Sequence, residues 1–189
     1  MYYGYGKIIL FGEHFVVHYI PAIAAAVDLK TTATFRNYYG KGILIEDHTM
    51  NCNVLVGQTE DYILDRAIQA CLTKMELLAD KKLNWQNETL SILVETTVPV
   101  FGGMGASAAI LVALSRCFAA HFGLKLSDEA ISEIAYEGEK VFAGTPSGID
   151  NSISTFGGLI WFQKGNPTRN EPNTIIPLQL PKPINIVIG

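Results

Sequence analysis

Apolar residues in the first third of the chain fall in short dense runs, and in the middle they settle into a helical rhythm. Lys7-Ile8-Ile9-Leu10-Phe11 is a brief run closed by Gly12, and Ile20 to Val27 leads into Thr31-Thr32-Ala33-Thr34-Phe35. β-Branched and aromatic enrichment favours strands for both, with a helix as the alternative over Ala22–Val27. Phe15-Val16-Val17 is strand-prone, Gly40-Lys41-Gly42 reads as a turn, and Ile43-Leu44-Ile45 as a further strand. Between Thr59 and Ala79 the spacing changes. Tyr62, Ile63, Ala67, Ala70, Cys71, Met75 and Leu78 recur at helical intervals, with Asp61, Asp65, Arg66 and Lys74 between them. Alternation over Thr89–Val98 predicts a strand. The loop Gly102–Gly105 then opens a helix over Ala106–His121, whose stripe is Ile110, Leu111, Leu114, Cys117, Phe118 and Phe122. Ser127, followed by Asp128 and Glu129, is a well-formed helix start, and Gly144-Thr145-Pro146 a stop. Past Asn151 the pattern reads as a hairpin: Ile153–Ile160, Trp161-Phe162, then a Pro- and Asn-rich loop over Gly165–Asn173. Ile184–Gly189 resembles the beginning of a strand, and an apolar strand with no polar tail is expected of a cut chain. With no repeat or linker in view, residues 1–189 are expected to form one α+β domain.

Composition narrows the classes. The chain has 189 residues, 49% of them hydrophobic and 17% charged, enough for one compact core. A formal net charge of −4 without basic blocks gives no electrostatic footprint for nucleic acid. No stretch approaches the roughly 18 uninterrupted apolar residues of a spanning helix, so no membrane association is expected. Cys52, Cys71 and Cys117 are far apart, which points to neither a disulfide scaffold nor a cysteine zinc site. The opening Met1-Tyr2-Tyr3-Gly4-Tyr5 lacks the basic-then-apolar order of a signal peptide, and a cytoplasmic location is expected.

Three segments could carry chemistry. Gly102-Gly103-Met104-Gly105-Ala106-Ser107-Ala108 pairs a glycine-rich approach with a helix start whose free N–H groups suit phosphate. Ser107 could add a hydroxyl to a phosphate-bound Mg²⁺. The plain alternative is a tightly packed connection. The segment is neither a Walker A loop nor a Rossmann fingerprint. Gly105-Ala106-Ser107-Ala108-Ala109 also approximates a nucleophile elbow, but the only histidine downstream, His121, lies about 21 Å along the same helix, so no triad can close. Second, a carboxylate of Glu137-Gly138-Glu139-Lys140 near a helix end, followed by the turn over Gly144–Asn151 that presents Asp150 and Asn151, could supply a metal ligand and a general base; the alternative is a helix stop and an Asx-type turn. Third, Lys7 with Glu13 and His14 could face phosphates or a substrate hydroxyl, or could be exposed strand-edge residues. His14 and His18 lack the glutamate of a helical zinc motif.

Taken in order, Gly6-Lys7-Ile8-Ile9-Leu10-Phe11-Gly12-Glu13-His14, Pro99 through Ala109, and Gly144-Thr145-Pro146-Ser147-Gly148-Ile149-Asp150-Asn151 resemble the GHMP kinases, and within them the mevalonate kinases. The resemblance implies a GHMP kinase N-terminal domain with a ribosomal-protein-S5-domain-2-like α+β fold. It implies ATP and Mg²⁺, phosphorylation of the C5 hydroxyl of mevalonate in isoprenoid precursor synthesis, Asp150 as catalytic base and Lys7 beside it. Pro99, Gly102, Gly103, Met104, Gly105, Ala106, Ser107 and Ala108 would wrap the triphosphate. Ser107 and Glu139 would hold the metal, and Glu13, His14 and Asp150 would border the substrate. Ala106 replaces the first of two serines that many members carry, and Tyr5-Gly6 replaces the usual Pro-Gly. The family's third, glycine-rich motif is absent, so a missing C-terminal domain is expected. Another GHMP kinase, acting on phosphomevalonate or homoserine, and a nucleotide-binding fragment without turnover are the alternatives. Oligomeric state is left open, a homodimer included.

Overall fold

The structure, a computed structural model, describes residues 1–59, 62–169, 171–182 and 185–187. It is a mixed α+β fold. Strands β1 (Tyr2–Phe11), β2 (Ala22–Arg36), β3 (Gly42–Asp47) and β4 (Cys52–Leu55) precede helix α1 (Ile63–Ala79). Then follow β5 (Thr89–Thr96), α2 (Ala106–His121), α3 (Asp128–Ala143), α4 (Ile149–Phe156), β6 (Leu159–Gln163) and β7 (Thr174–Leu178).

The seven strands form one sheet ordered β4-β3-β5-β2-β6-β7, with β1 paired to β2. The 15-residue β2 organises it. Its first half pairs with β6, its second half with β5, and β1 runs antiparallel along it. This settles Ala22–Val27 as strand: Ala24 pairs with both Ile9 and Ile160, and the ladder overrides the helix propensity of alanine. The strand-prone Phe15–Val17 instead lies in a 3₁₀ turn, His14–His18, with only Val16 buried.

Three apolar clusters hold the layers. The main one joins Ile43, Ile45, Ile92 and Val94 of the sheet to Ile68, Leu72, Leu111, Leu114, Phe118 and Ile134 of α1, α2 and α3. A second gathers Val16, Ala22, Ala24, Ile149, Ile153, Ile160 and Phe162. A third, Val98, Met104 and Ala109, lies beneath the glycine loop. Helix α2 is buried nearly all round rather than along one stripe, since Ala108, Ala109, Val112, Ala113 and Ala119 are also inside. Small residues permit this. A Cβ on Gly4 would sit 2.3 Å from the Ala109 carbonyl oxygen, and one on Gly138 would meet Cys71 Sγ and Leu111 Cδ1 at 2.7 Å each.

The expected hairpin is displaced. Ile153–Phe156 belongs to α4, and the hairpin pairs β6 with β7 across the predicted loop. Ile149 and Ile153, four apart, give α4 one apolar face. The hydroxyls of Ser152 and Thr155 donate back to the carbonyls of Gly148 and Asn151 at 2.6 and 2.7 Å. Of the strand expected over Ile184–Gly189, Asn185–Val187 have no regular structure and the remaining three residues lie outside the described set.

Candidate active site

Lys7 sits at an irregularity in β1, where the register with β2 shifts between Tyr5 and Lys7. Its backbone N–H, free of the ladder, donates to the Met104 carbonyl at 2.9 Å and stitches the strand to the glycine loop. The side chain is buried, contrary to the strand-edge alternative. It runs beneath Gly105, where a Cβ would lie 2.8 Å from Lys7 Cγ. Lys7 Nζ stops 3.2 Å from Asp150 Oδ1, and that oxygen is buried with no aligned hydrogen bond. The Lys7 side chain is 7% exposed and that of Asp150 34%, so the pair opens to solvent on the aspartate side.

Asp150 lies in the first turn of α4. Gly148, at φ +93°, begins that helix in the left-handed conformation which glycine adopts without strain. Glu139, on α3, completes the group. Burial pushes its carboxyl up to about 7; the facing Ser107 hydroxyl pulls it down, the Asp150 charge raises it and Lys7 lowers it. Four residues from four elements are thus electrically in touch: Lys7 from β1, Ser107 from α2, Glu139 from α3 and Asp150 from α4.

Above them is the amino end of α2. The first intrahelical bond runs from Ala109 N–H to Gly105 O at 3.0 Å, so the N–H groups of Ala106, Ser107 and Ala108 have no acceptor within the helix. No side chain caps this end. Gly103, at φ +68°, has nothing within 4 Å of a would-be Cβ, and Pro99, Gly102 and Gly103 are exposed. An open, donor-rich concavity with a helix dipole behind it favours an anion. The Ala108 side chain points into the core, which leaves only its N–H for a ligand.

The residues fit a hard divalent cation. Glu139 Oε1 is buried with no hydrogen-bond partner, and the neighbouring donors, Ser107 and Asp150, are oxygens. Among the described residues no group of three His, Cys, Asp or Glu side chains makes a metal site alone. A cation here would need ligand oxygens from elsewhere, and phosphates supply them.

Other expected residues stand apart. Glu13 and His14 are exposed at the 3₁₀ turn that follows β1, and the neighbouring Val16 belongs to the apolar cluster of Ile149 and Ile153. Asn151 turns away from the cleft: it is buried, and its Nδ2 donates to Ser132 O and Oγ at 3.0 and 2.9 Å. Glu137 pairs with Lys140 at 2.8 Å. Sequence reasoning missed Ser132 and Arg116. Arg116 donates to Tyr3 O, Asp128 Oδ1 and Thr155 O at 2.7, 2.6 and 2.9 Å, tying the far end of α4 to β1 and α3. A lone arginine in an apolar helix was the one available signal.

The family described as GHMP kinases N terminal domain matches residues 65–158. The mevalonate kinase of Aeropyrum pernix is 35% identical over 170 residues, covering 88% of this chain and 52% of that protein. That of Pyrococcus furiosus is 36% identical over 172 residues, covering 84% and 50%. The crystal structure of L. major mevalonate kinase in complex with R-mevalonate superposes with a TM-score of 0.72 at 32% identity, covering 93% of this chain and 51% of the other. A Streptococcus pneumoniae phosphomevalonate kinase shares the fold, with a TM-score of 0.72 at 14% identity. The chain spans about half the length of the curated relatives it matches. Among the described residues no helix is long and apolar enough to cross a membrane.

Proposed function

The chain belongs to the GHMP kinases, and from that premise we propose that it carries the nucleotide-binding and catalytic groups of a mevalonate kinase. The reaction is transfer of the γ-phosphoryl group of ATP to the C5 hydroxyl of mevalonate. One observation carries the reading: the Lys7–Asp150 pair lies beside Glu139 and Ser107 at the uncapped amino end of α2. Phosphoryl transfer asks a protein for positioning and charge neutralisation more than covalent chemistry, and these residues supply both.

Asp150, the more exposed partner, accepts the hydroxyl proton on its carboxylate, and the buried Lys7 ammonium stabilises the alkoxide forming next to it. The N–H groups of Ala106, Ser107 and Ala108, with the open backbone at Gly102 and Gly103, hold the phosphates. Ser107 Oγ and the Glu139 carboxylate would hold Mg²⁺, which when bound neutralises charge on the phosphate oxygens. Mevalonate as acceptor is supported by the named relatives, with Glu13 and His14 at the pocket border.

Coupled ADP release with Mg-ATP and mevalonate tests this. Asp150→Asn should lower turnover by about 10²- to 10⁴-fold while Mg-ATP affinity stays near wild type. Turnover persisting near wild type in that variant removes Asp150 from the role of base. Faster reaction with mevalonate 5-phosphate or homoserine reassigns the acceptor.

A further inference from the structure

We propose that Asn151 is a positioning residue whose buried tie to Ser132 holds Asp150 against Lys7. Helix α4 has only eight residues, and its apolar hold comes from Ile149 and Ile153. Dispersion contacts of two isoleucines set how deep a helix sits, but they resist sliding and rotation about its axis weakly. At the amino end, the side-chain hydrogen bonds from α4 itself to α3 are the pair from Asn151 Nδ2 to Ser132 O and Oγ, beside the Lys7–Asp150 contact and a bond from Tyr136 Oη to Pro146 O in the preceding turn. Asp150 and Asn151 are successive helix residues, so their side chains diverge by about 100°. One faces the cleft and the other faces α3, and fixing the second fixes the first.

Ser132 lies seven residues before Glu139 on α3, two helical turns away and on nearly the same face. The tie therefore references α4 to the helix that carries Glu139, while the Lys7–Asp150 contact references it to β1. Asn151 is 5% exposed and its Oδ1 is buried with no partner. An orphaned acceptor is destabilising relative to an apolar side chain of similar size, so stability alone does not account for an asparagine here. Orientation does.

The geometry stands apart from the kinase reading, which supplies only its catalytic consequence. Competitive acetylation of the chain's lysines, resolved by peptide mass spectrometry, reads the tie directly. In Asn151→Ala, Lys7 should acetylate faster by roughly threefold or more as α4 opens locally. Lys74, whose side chain is 16% exposed and 2.7 Å from Glu133 on α3, should not change and reports general loosening. Ser132→Ala, which leaves the carbonyl acceptor, should raise Lys7 labelling in the same direction by less. In turnover, Asn151→Ala should lower kcat while leaving KM for ATP unaltered. Unchanged Lys7 labelling in both variants, or Lys7 and Lys74 rising together, overturns the proposal. A wild-type chain that does not turn over mevalonate counts against the kinase reading, and the labelling then decides the positioning role by itself.

Discussion

Glu139 is the carboxylate at which the fold and the proposed chemistry conflict most. Held at about 7 by burial, against an ordinary value of 4.5, it binds its proton more tightly in the folded chain than in the unfolded one. Between those two values stability must therefore fall as pH rises; the penalty is complete above 7 and gone below 4.5. Glu139→Gln removes the titration. In denaturant unfolding without divalent cations, its advantage over wild type should grow from pH 5 to pH 8, by an amount on the order of 2–3 kcal/mol. Parallel pH profiles for the two proteins would mean that the carboxyl is not buried as described. Asp65 shows a different resolution of the same problem. It is fully buried, yet it accepts from Gly57 N at 2.8 Å, Thr59 N at 2.8 Å, Thr59 Oγ1 at 2.9 Å and Gln69 Nε2 at 3.1 Å. Asp65→Ala should cost about 2–4 kcal/mol, read as a lower denaturation midpoint, because it releases the 57–59 loop and strands its donors. Its helical spacing placed Asp65 among the polar residues of α1, and nothing local announced that a loop eight residues away would fold back over it. Lys7, Ser107, Glu139 and Asp150 could be proposed together because each lies in a short motif that carries the family resemblance, although each segment read singly had a plain structural alternative. Ser132 and Arg116 were not, since their partners lie 12 to 113 residues away on other elements.

At the scale of elements, α1, α3 and β5 were legible because one period dominates each for several turns or pleats. Helix α4 was not. Eight residues hold two apolar repeats, too few to outweigh the β-branched and hydroxyl side chains that read as strand. The feature that decides it is tertiary: Ile149 and Ile153 have Phe162 and Ala24 to pack against. Packing also explains two glycines outside the phosphate loop. Gly4 lets β1 cross α2, and Gly138 lets α3 close on α1 and α2. Gly138→Ala should therefore wedge α3 outward and cost about 1–3 kcal/mol, despite the better helix propensity of alanine. Because Glu139 is the next residue, the same variant should weaken Mg²⁺-dependent nucleotide binding. Gly123→Ala tests a different cause: nothing lies within 4 Å of its would-be Cβ, so any loss there comes from its φ of +65° alone. A Tm unchanged or raised in Gly138→Ala would exclude crowding there, since alanine is otherwise the better helix former.

For the whole molecule, the proposed groups divide unequally between the two reactants. Phosphate-facing donors, the cation oxygens and the Lys7–Asp150 pair come from four elements held by the three apolar clusters. The acceptor-side candidates are Glu13 and His14, both exposed on one short turn. A ligand stabilises in proportion to its affinity for the folded state, so the two substrates should leave different thermal signatures. Mg-ATP at a hundred times its Kd adds about 2.7 kcal/mol, which for a domain of this size raises Tm by roughly 5–10 °C. Mevalonate alone should leave Tm within a degree or so of the free chain, since few ordered groups await it. Asp150→Asn should retain the Mg-ATP shift, because the aspartate faces the acceptor hydroxyl. Glu139→Gln should reduce that shift toward the one ATP gives without Mg²⁺, because in the proposed site Glu139, whose Oε1 is orphaned, would be the charged protein ligand of the cation. A Mg-ATP shift unaffected by Glu139→Gln but lost in Asp150→Asn would exchange the roles of the two carboxylates, and the chemistry would have to be rebuilt around Glu139 as the base.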